Sequence, residues 1–217
     1  MAASFRSPAI AAAPPLLLLL LLLAQTARSA PPPRAAGVVP TKAALRAPIS
    51  LVAQSSEIDY RTNQLVFRKV KITQGTMSVS ADLAHATGLD FDNSHWVFRG
   101  HVHIVLGNGD LRSTDADITF ADKLLARATV HGTPAQFSQL DPKSGRLVRG
   151  RAKRIDYDVR KGLVEFAQDA WLSDGQNQIR GESLRYDIAA RSVIAKAADQ
   201  GKSRVHITIT PPAPHKP

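Results

Sequence analysis

Apolar and polar residues alternate along most of the chain, and a short apolar–polar–aromatic triplet recurs within this alternation. The triplets are Ile58-Asp59-Tyr60, Leu89-Asp90-Phe91, Ile118-Thr119-Phe120, Ile155-Asp156-Tyr157 and Leu184-Arg185-Tyr186, and their first residues are 31, 29, 37 and 29 positions apart. The two large side chains of a triplet lie two residues apart, and therefore on one face of a β-strand. Spacings of this length are typical of repeat proteins, in which each unit buries its apolar face by stacking on the next.

Each triplet is followed by a further alternating run and then by a turn, which predicts a β-hairpin repeat of about 30 residues. In the second repeat, the apolar positions 96–106 keep one parity, while Arg99, His101 and His103 occupy the other. One apolar and one polar face are typical of an antiparallel sheet that is covered on a single side. Because no stretch shows a long amphipathic helical period, we predict an all-β fold.

Two local signals refine the hairpin pattern. The dipeptide Asn108-Gly109 predicts a tight hairpin turn. The apolar parity changes between Phe67 and Val70, which predicts a β-bulge or tight bend at Arg68-Lys69.

The first 29 residues are typical of a secretory signal peptide, because Arg6 precedes a leucine run and small residues end the segment. We predict cleavage near Ser29-Ala30. A retained membrane anchor is the competing interpretation, but the uninterrupted apolar run is nearer ~10 residues than the ~20 that a bilayer requires. The predicted layout is a signal peptide (1–29), a flexible lead-in rich in Pro and Ala (30–47), a β domain (48–210) and a disordered tail (211–217).

The chain is strongly basic, with a formal net charge of +10. Removal of Arg6 and Arg28 with the signal peptide leaves 26 of the 28 basic residues against 18 acidic ones, a net charge of +8. This charge favours an acidic partner, and export argues against nucleic acid. Cysteine is absent, which excludes disulfides, thiol chemistry and cysteine-based metal sites.

Catalytic and metal-binding patterns are weak. His95, His101 and His103 fall in one repeat, and the imidazoles of His101 and His103 share one side of a strand, but no carboxylate at a matching spacing completes a metal site with them. The pair Asp115 and Asp117 is typical of an exposed strand face. The sequence therefore predicts no enzyme, no catalytic residue, no metal and no cofactor.

Three glycine-led motifs lie in the C-terminal half of the chain: Gly132-x-Pro134-Ala135-x-Phe137-x-Gln139, Gly150-x-Ala152-x-x-Ile155-x-Tyr157 and Gly181-x-x-Leu184-x-Tyr186. Together they resemble the LptA/OstA-like family, the periplasmic bridge of lipopolysaccharide export in Gram-negative bacteria. The resemblance extends over about residues 48–210. The residues from about 86 to about 115 form an apparent extra hairpin, which makes this chain longer than is usual for a member of the family. We expect this hairpin to lengthen the groove.

The resemblance implies an open, twisted β-jellyroll with an apolar groove for the acyl chains of lipid A. By position in the family motifs, the residues that resemble groove-lining positions are Ile49, Leu51, Phe137, Tyr157 and Val159. The implied partners are lipopolysaccharide, LptC-like inner-membrane and LptD-like outer-membrane β-jellyroll domains, and further copies of the chain in a head-to-tail oligomer. Basic side chains at a groove rim are candidates for contact with lipid A phosphates, among them Arg149, Arg151, Lys153 and Arg154.

Two alternatives stay open at this point. One is an LptC-like component that keeps its N-terminal segment as an inner-membrane anchor. The other is a periplasmic polysaccharide-binding scaffold, although the inward positions are mostly aliphatic and Phe rather than the aromatics and carboxylates typical of saccharide grooves.

Overall fold

The computed structural model describes residues 47–87, 91–141, 143–198 and 204–211, all of which belong to one compact unit of residues 34–217. The predicted signal peptide, nearly all of the lead-in and most of the tail lie outside the described residues. The strands are β1 (Ser50–Val52), β2 (Ser55–Asp59), β3 (Gln64–Gln74), β4 (Met77–Thr87), β5 (Asn93–Leu106), β6 (Gly109–Ala121), β7 (Leu124–Leu140), β8 (Leu147–Asp158), β9 (Leu163–Ser173), β10 (Gln178–Asp187), β11 (Ser192–Lys196) and β12 (His206–Thr208).

The twelve strands form one antiparallel sheet in which neighbours in sequence are mostly neighbours in space. Both ends of the sheet are split. At the N-terminal edge, β1 and β2 pair with successive parts of β3. At the C-terminal edge, β11 and β12 pair with successive parts of β10. The prediction of an all-β fold made of tandem hairpins is confirmed.

A line of irregularities crosses the middle of the long strands. Residues in the left-handed region lie on it at Lys69 in β3, Gly100-His101 in β5 and Gln168-Asp169 in β9. The pairing register shifts along the same line between each pair of neighbours from β4/β5 to β9/β10. Bulges bend the strand that contains them, and bulges aligned across a sheet bend the whole sheet. We call this line the bend.

The bend divides the sheet into two leaves. Leaf A contains β1, β12, the C-terminal halves of β3, β5, β7 and β9, and the N-terminal halves of β4, β6, β8 and β10. Leaf B contains β2, β11 and the other halves of the long strands. The register shows the division in β8, where Gly150 pairs with Leu172 in leaf A and Ile155 pairs with Phe166 in leaf B.

The two leaves pack face to face around one hydrophobic core. Phe137 in leaf A contacts three rings of leaf B, with centroid distances of 6.3 Å to Tyr157, 5.8 Å to Phe166 and 6.5 Å to Tyr186. Alternate residues of both leaves are buried in a single cluster that extends from Leu65 to Ile188. A single sheet thus buries one face because it is folded over on itself.

One local prediction is confirmed, and another is displaced by one residue. The bulge or tight bend predicted at Arg68-Lys69 is present as a left-handed residue, with φ of 49° at Lys69. The pairing of β3 with β4 keeps one register across it, and the apolar residues of β3 are buried on both sides. The turn predicted at Asn108-Gly109 is displaced by one residue, because Leu106 pairs with Gly109 and Gly107 adopts the positive φ.

Burial of the triplets is only partly confirmed. The large side chains of the triplets in β6, β8 and β10 are buried. The prediction of burial is wrong for the first triplet, where Ile58 is 37% and Tyr60 is 88% exposed. The reason is position: β2 is an edge strand, and no described strand extends leaf B beyond it. Leu89 and Asp90 lie outside the described residues.

The hairpin that we identified as an apparent extra repeat lies inside the sheet. Strands β5 and β6 pair with each other and with β4 and β7. This placement is the one that a longer groove requires. In the described part of the chain, no helix is long and apolar enough to span a membrane.

Candidate functional site: the apolar interior between the leaves

The interior between the two leaves is lined almost entirely by apolar side chains. It is built strand by strand from the alternating pattern. The irregularity at the bend keeps the apolar side chains of each strand on the inner face on both sides of the bend, even where the buried positions change between even and odd numbers. In β8, for example, positions 148, 150 and 152 are buried before the bend and 155 and 157 after it. The result is a continuous apolar surface across leaves A and B.

Three of the predicted groove residues lie deep in this interior. Phe137, Tyr157 and Val159 are 2%, 1% and 2% exposed. Phe137 and Tyr157 belong to opposite leaves and meet edge to face. The backbone of Val159 continues beyond β8 and donates a hydrogen bond to the carbonyl oxygen of Ala126 at 3.1 Å.

The other two predicted residues lie at the opposite end of the sheet. Ile49 and Leu51 are half-buried and pack against the same core, and Leu51 pairs with Ile72 of β3. The five predicted residues therefore share one apolar surface but form two separate groups, one at the N-terminal edge and one in the C-terminal half.

Sequence reasoning missed a second aromatic cluster in leaf B. Trp96 is fully buried and stacks on Phe67, Phe91 and Phe98 with centroid distances of 5.7, 5.2 and 5.9 Å. Its indole N–H donates to the hydroxyl oxygen of Ser94 at 3.1 Å, so its polar atom is satisfied internally. The inward parity of these positions was visible in the sequence, but parity alone does not show that the rings meet.

The interior contains a small number of polar atoms. Among the described residues, the Tyr157 hydroxyl and the Gln139 side-chain oxygen are buried without a hydrogen-bond partner. Burial raises the pKa of Tyr157 to about 12, with a smaller contribution from nearby Tyr186. The phenol is therefore neutral at physiological pH, and the surface between the leaves carries no charge at this point.

The mouth of the fold lies opposite the bend, between the turns that end leaf A and those that end leaf B. One ion pair joins the two rims: the Arg191 guanidinium in the β10–β11 turn lies 2.6 Å from the Asp141 carboxylate after β7. Asp141 also accepts hydrogen bonds from the backbone N–H groups of Lys143 and Ser144 at 2.8 and 3.3 Å.

Asp141 is 7% exposed, and the burial alone raises the pKa of its carboxyl group. The hydrogen bonds from Lys143 and Ser144 and the charge of Arg191 outweigh this effect, so that the pKa is lowered overall. The rims are thus held together here by a carboxylate that is ionised at neutral pH.

A cavity of about 260 Å³ adjoins this ion pair at the C-terminal end of the interior. Leaf A contributes Leu172, Ile179 and Ile207 to its wall, and leaf B contributes Tyr186 and Val193. The apolar interior therefore reaches the surface at this end of the fold.

The basic residues considered for a groove rim lie mainly elsewhere. Arg151 and Lys153 are exposed on the outer face of leaf A, next to the bend rather than at the mouth. Arg149 is closer to the mouth but also faces outward. Among the described residues, no group of three or more His, Asp or Glu side chains is arranged to hold a metal ion.

Comparison with known proteins gives consistent matches. A family model described as LptA/(LptD N-terminal domain) LPS transport protein matches residues 83–191. The lipopolysaccharide export system protein LptA of Haemophilus influenzae is 32% identical over 127 residues, which cover 57% of this chain and 72% of that protein. The protein of the same name from Escherichia coli K12 is 24% identical over 165 residues, covering 76% of this chain and 71% of its own length.

The fold also matches a solved structure. The crystal structure of LptH, the LptA-homologous periplasmic component of the lipopolysaccharide transport device from Pseudomonas aeruginosa, aligns with a TM-score of 0.51 and 20% identity. The alignment covers 76% of this chain and 96% of that one. At this identity the match establishes the fold, an open antiparallel β-jellyroll.

Proposed function

Because this chain belongs to the family of LptA and LptD N-terminal-domain lipopolysaccharide transport proteins, we propose that it carries lipopolysaccharide with the acyl chains held between its two leaves. The observation that supports this proposal is the continuous apolar face of the sheet, from Leu51 at one end to Ile179 at the other. Hydrocarbon costs about 0.8 kcal/mol per CH₂ group to keep in water. A trough that spans the whole sheet removes this cost along its length.

Acyl chains enter through the mouth in this proposal. The ring of Phe137 contacts the rings of Tyr157 and Phe166 across the interior. Lipid binding therefore requires the leaves to separate, with the bend as the hinge. The rim ion pair between Asp141 and Arg191 is the polar contact that must open at the C-terminal end.

The chain is proposed to assemble head to tail. The two terminal edges of the sheet carry exposed apolar side chains, with Val52 66% exposed at one edge and Ile194 56% and Ile207 63% exposed at the other. Unpaired strand edges invite pairing with another strand, and addition of an edge strand is a common mode of recognition. Pairing of unlike edges is heterologous and produces open filaments, which extends the apolar face from one copy to the next.

The proposed location is the periplasm, after cleavage of a signal peptide near Ser29-Ala30. LptC-like inner-membrane and LptD-like outer-membrane β-jellyroll domains are the proposed partners at the ends of the filament. This arrangement is supported by the two sheet edges that the described strands leave unpaired, since each partner with a related sheet offers a complementary edge.

The test is photo-crosslinking in intact cells with a photoreactive phenylalanine analogue. Phe137 and Tyr157 are the interior positions to substitute, because an aromatic analogue preserves their shape. Thr119 serves as the matched control, since it is exposed on the outer face of β6. We expect lipopolysaccharide adducts at Phe137 and Tyr157 and none at Thr119.

Adducts of equal yield at all three positions would contradict the interior path. The same conclusion follows if the exported, folded protein gives no adduct at either interior position.

A further inference from the structure

A second cavity lies on the outer face of the sheet, on the far side from the mouth. Its volume is about 680 Å³, within the range of about 300–1,000 Å³ typical of small-molecule sites. It forms where β7 to β10 cross the bend and where β12 adds to leaf A. Thr133 and Pro134 form one wall, and Arg204 and His206 form the opposite one.

The lining of this cavity is predominantly cationic. Arg151, Lys153, Arg180 and Arg204 face two carboxylates, Asp169 and Glu182. The Lys153 ammonium lies 2.9 Å from the Asp169 carboxylate, so that one acid is already neutralised. The excess of positive charge lies on the three guanidinium groups.

Two of these guanidinium groups have no acidic partner. Within residues 47–87, 91–141, 143–198 and 204–211, neither Arg180 nor Arg204 forms an ion pair, whereas Arg127, Arg146, Arg160 and Arg185 do. Arginine presents a planar set of N–H donors that matches phosphate oxygens in pairs. Unpaired arginines that converge on one concave site are therefore suited to an anion.

The third guanidinium is held in place by an aromatic ring. The guanidinium carbon of Arg151 lies 4.9 Å from the centre of the Trp171 ring, an attractive cation–π geometry. The indole N–H of Trp171 donates to the side-chain oxygen of Gln178 at 3.2 Å, which fixes the ring. Arg151 is thus pre-oriented towards the cavity without the use of a carboxylate.

The remaining wall is a mixture of apolar and hydrogen-bonding groups. Pro134 and Trp171 supply apolar surface, and Glu182 and His206 supply acceptors or donors. The volume far exceeds that of a phosphate ion, and sugars combine apolar ring faces with hydroxyl groups. From these features we infer that the outer-face cavity is a binding site for a phosphate-bearing saccharide.

This site is separate from the interior proposed for acyl chains. Its charged residues lie on the outward side of leaf A and at the bend, whereas the acyl path lies between the leaves. The inference holds whether the saccharide belongs to a lipopolysaccharide cargo or to a free sugar phosphate. The experiment below distinguishes these two sources.

The test is isothermal titration of the full exported chain with four probes at physiological salt. The first is the phosphorylated core oligosaccharide of lipopolysaccharide with all acyl chains removed, and the second is the same oligosaccharide after chemical dephosphorylation. Glucosamine 6-phosphate and inorganic phosphate are the third and fourth. The site variant is Arg180→Gln with Arg204→Gln, and the control is Arg68→Gln with Arg99→Gln, which removes equal charge from exposed outer-face positions.

We expect the phosphorylated oligosaccharide to bind and the site variant to weaken binding by about tenfold or more, because two charged hydrogen-bonding groups are removed. The control variant is expected to change the affinity by less than about twofold, since long-range surface charge is screened by salt. If glucosamine 6-phosphate binds as tightly as the oligosaccharide and with the same loss in the site variant, the ligand is a free sugar phosphate.

Three results would overturn the inference: no binding of either phosphorylated sugar, equal affinity for the dephosphorylated oligosaccharide, or equal affinity for inorganic phosphate. Equal loss in the site and control variants would also overturn it, because the attraction would then be a property of the whole surface. None of the probes has acyl chains, so a negative result here leaves crosslinking at Phe137 and Tyr157 as an independent measure of the interior path.

Discussion

At the scale of single residues, the fit between the two leaves depends on small side chains opposite large ones. A Cβ atom at Gly150 would lie 2.3 and 2.5 Å from two ring carbons of Phe166. Gly150 belongs to leaf A and Phe166 to leaf B, so the glycine makes room for a ring from the other leaf. The glycine motif around position 150 was part of the family resemblance, but its physical reason is visible only in the folded sheet.

We therefore predict that Gly150→Ala destabilises the fold. Overpacking of a buried site typically costs about 1–3 kcal/mol, so the midpoint of urea unfolding, followed by circular dichroism, should fall. A second substitution, Phe166→Leu, removes the ring edge that the new methyl group contacts. The double variant is expected to lose less stability than the sum of the two single variants, and simple additivity would contradict the proposed contact.

The Asp141 carboxylate gives a prediction about pH. Its pKa in the folded protein is below its ordinary value of 3.8, so folding favours the ionised form. The stability that this group contributes is present above the pKa of the unfolded chain and is lost as the pH falls through the folded-state pKa. We expect Asp141→Asn to be less stable than the unmodified protein at pH 7, and this difference to shrink as the pH is lowered from about 5 to about 2.

The measurement is the unfolding midpoint in urea at a series of pH values. Asp122→Asn is the control, because it removes an exposed ion pair with Arg160 that should contribute less than about 1 kcal/mol. A difference for Asp141→Asn that stays constant across the pH series would contradict the proposed role of the ionised carboxylate.

At the scale of elements, the bend is the feature that converts a flat hairpin array into two facing leaves. Gly132 lies on it in β7, and a Cβ atom there would be 2.7 Å from the backbone nitrogen of Ala135 and 3.0 Å from its Cα. Backbone atoms of a paired strand have little freedom to move away. The bend in β7 therefore requires glycine at this position.

We predict that Gly132→Ala costs more than about 1 kcal/mol of unfolding free energy, because the clash is with backbone. Gly145→Ala is a suitable comparison, since nothing lies within 4 Å of a Cβ atom there although φ is +65°. Only the strain of a positive φ, about 1 kcal/mol, is expected for that variant. An equal or smaller shift of the unfolding midpoint for Gly132→Ala than for Gly145→Ala would show that the bend tolerates a side chain.

The elements themselves were largely predictable from the sequence. Alternation gave the strands their buried and exposed faces, and the parity change after Phe67 correctly predicted a backbone irregularity at Lys69. The irregularities in the later strands were not predicted. In β5 the two residues Gly100-His101 leave the even parity unchanged, and an irregularity of two residues has no signature in a period-2 pattern. In β8 the buried positions change from even (148, 150 and 152) to odd (155 and 157), and this change is visible in the sequence.

At the scale of the whole described unit, the two edges of the sheet differ in sequence and are candidates for mutual pairing. We predict that a variant with Val52→Lys and Ile58→Lys at the N-terminal edge fails to form long oligomers, because charged side chains on an edge oppose strand pairing. A variant with Ile194→Lys and Ile207→Lys at the C-terminal edge should fail in the same way. All four side chains are exposed and none belongs to the buried core cluster; Ile207 also lines the cavity beside Arg191.

Sedimentation of a mixture of the two variants distinguishes the geometry of assembly. In a head-to-tail contact, each variant retains the edge that the other lacks, so an equimolar mixture is expected to form dimers and to stop there. If like edges paired instead, a variant on its own would still dimerise through the edge that it keeps intact. Thr119→Lys on the outer face of β6 is the control and is expected to assemble like the unmodified chain.

The sequence by itself determined the strand class, the hairpin repeats and the family, because period-2 alternation, turn residues and short motifs are local in the chain. It also determined which side chains point inward, including Phe137 and Tyr157. Only the tertiary structure decided that these two rings meet across two leaves, that Arg191 reaches Asp141 at the rim, and that β7 to β10, β12 and the bend form a cationic cavity on the outer face. These contacts join residues far apart in sequence whose proximity depends on how sharply the whole sheet bends, and alternation within one strand carries no information about that angle.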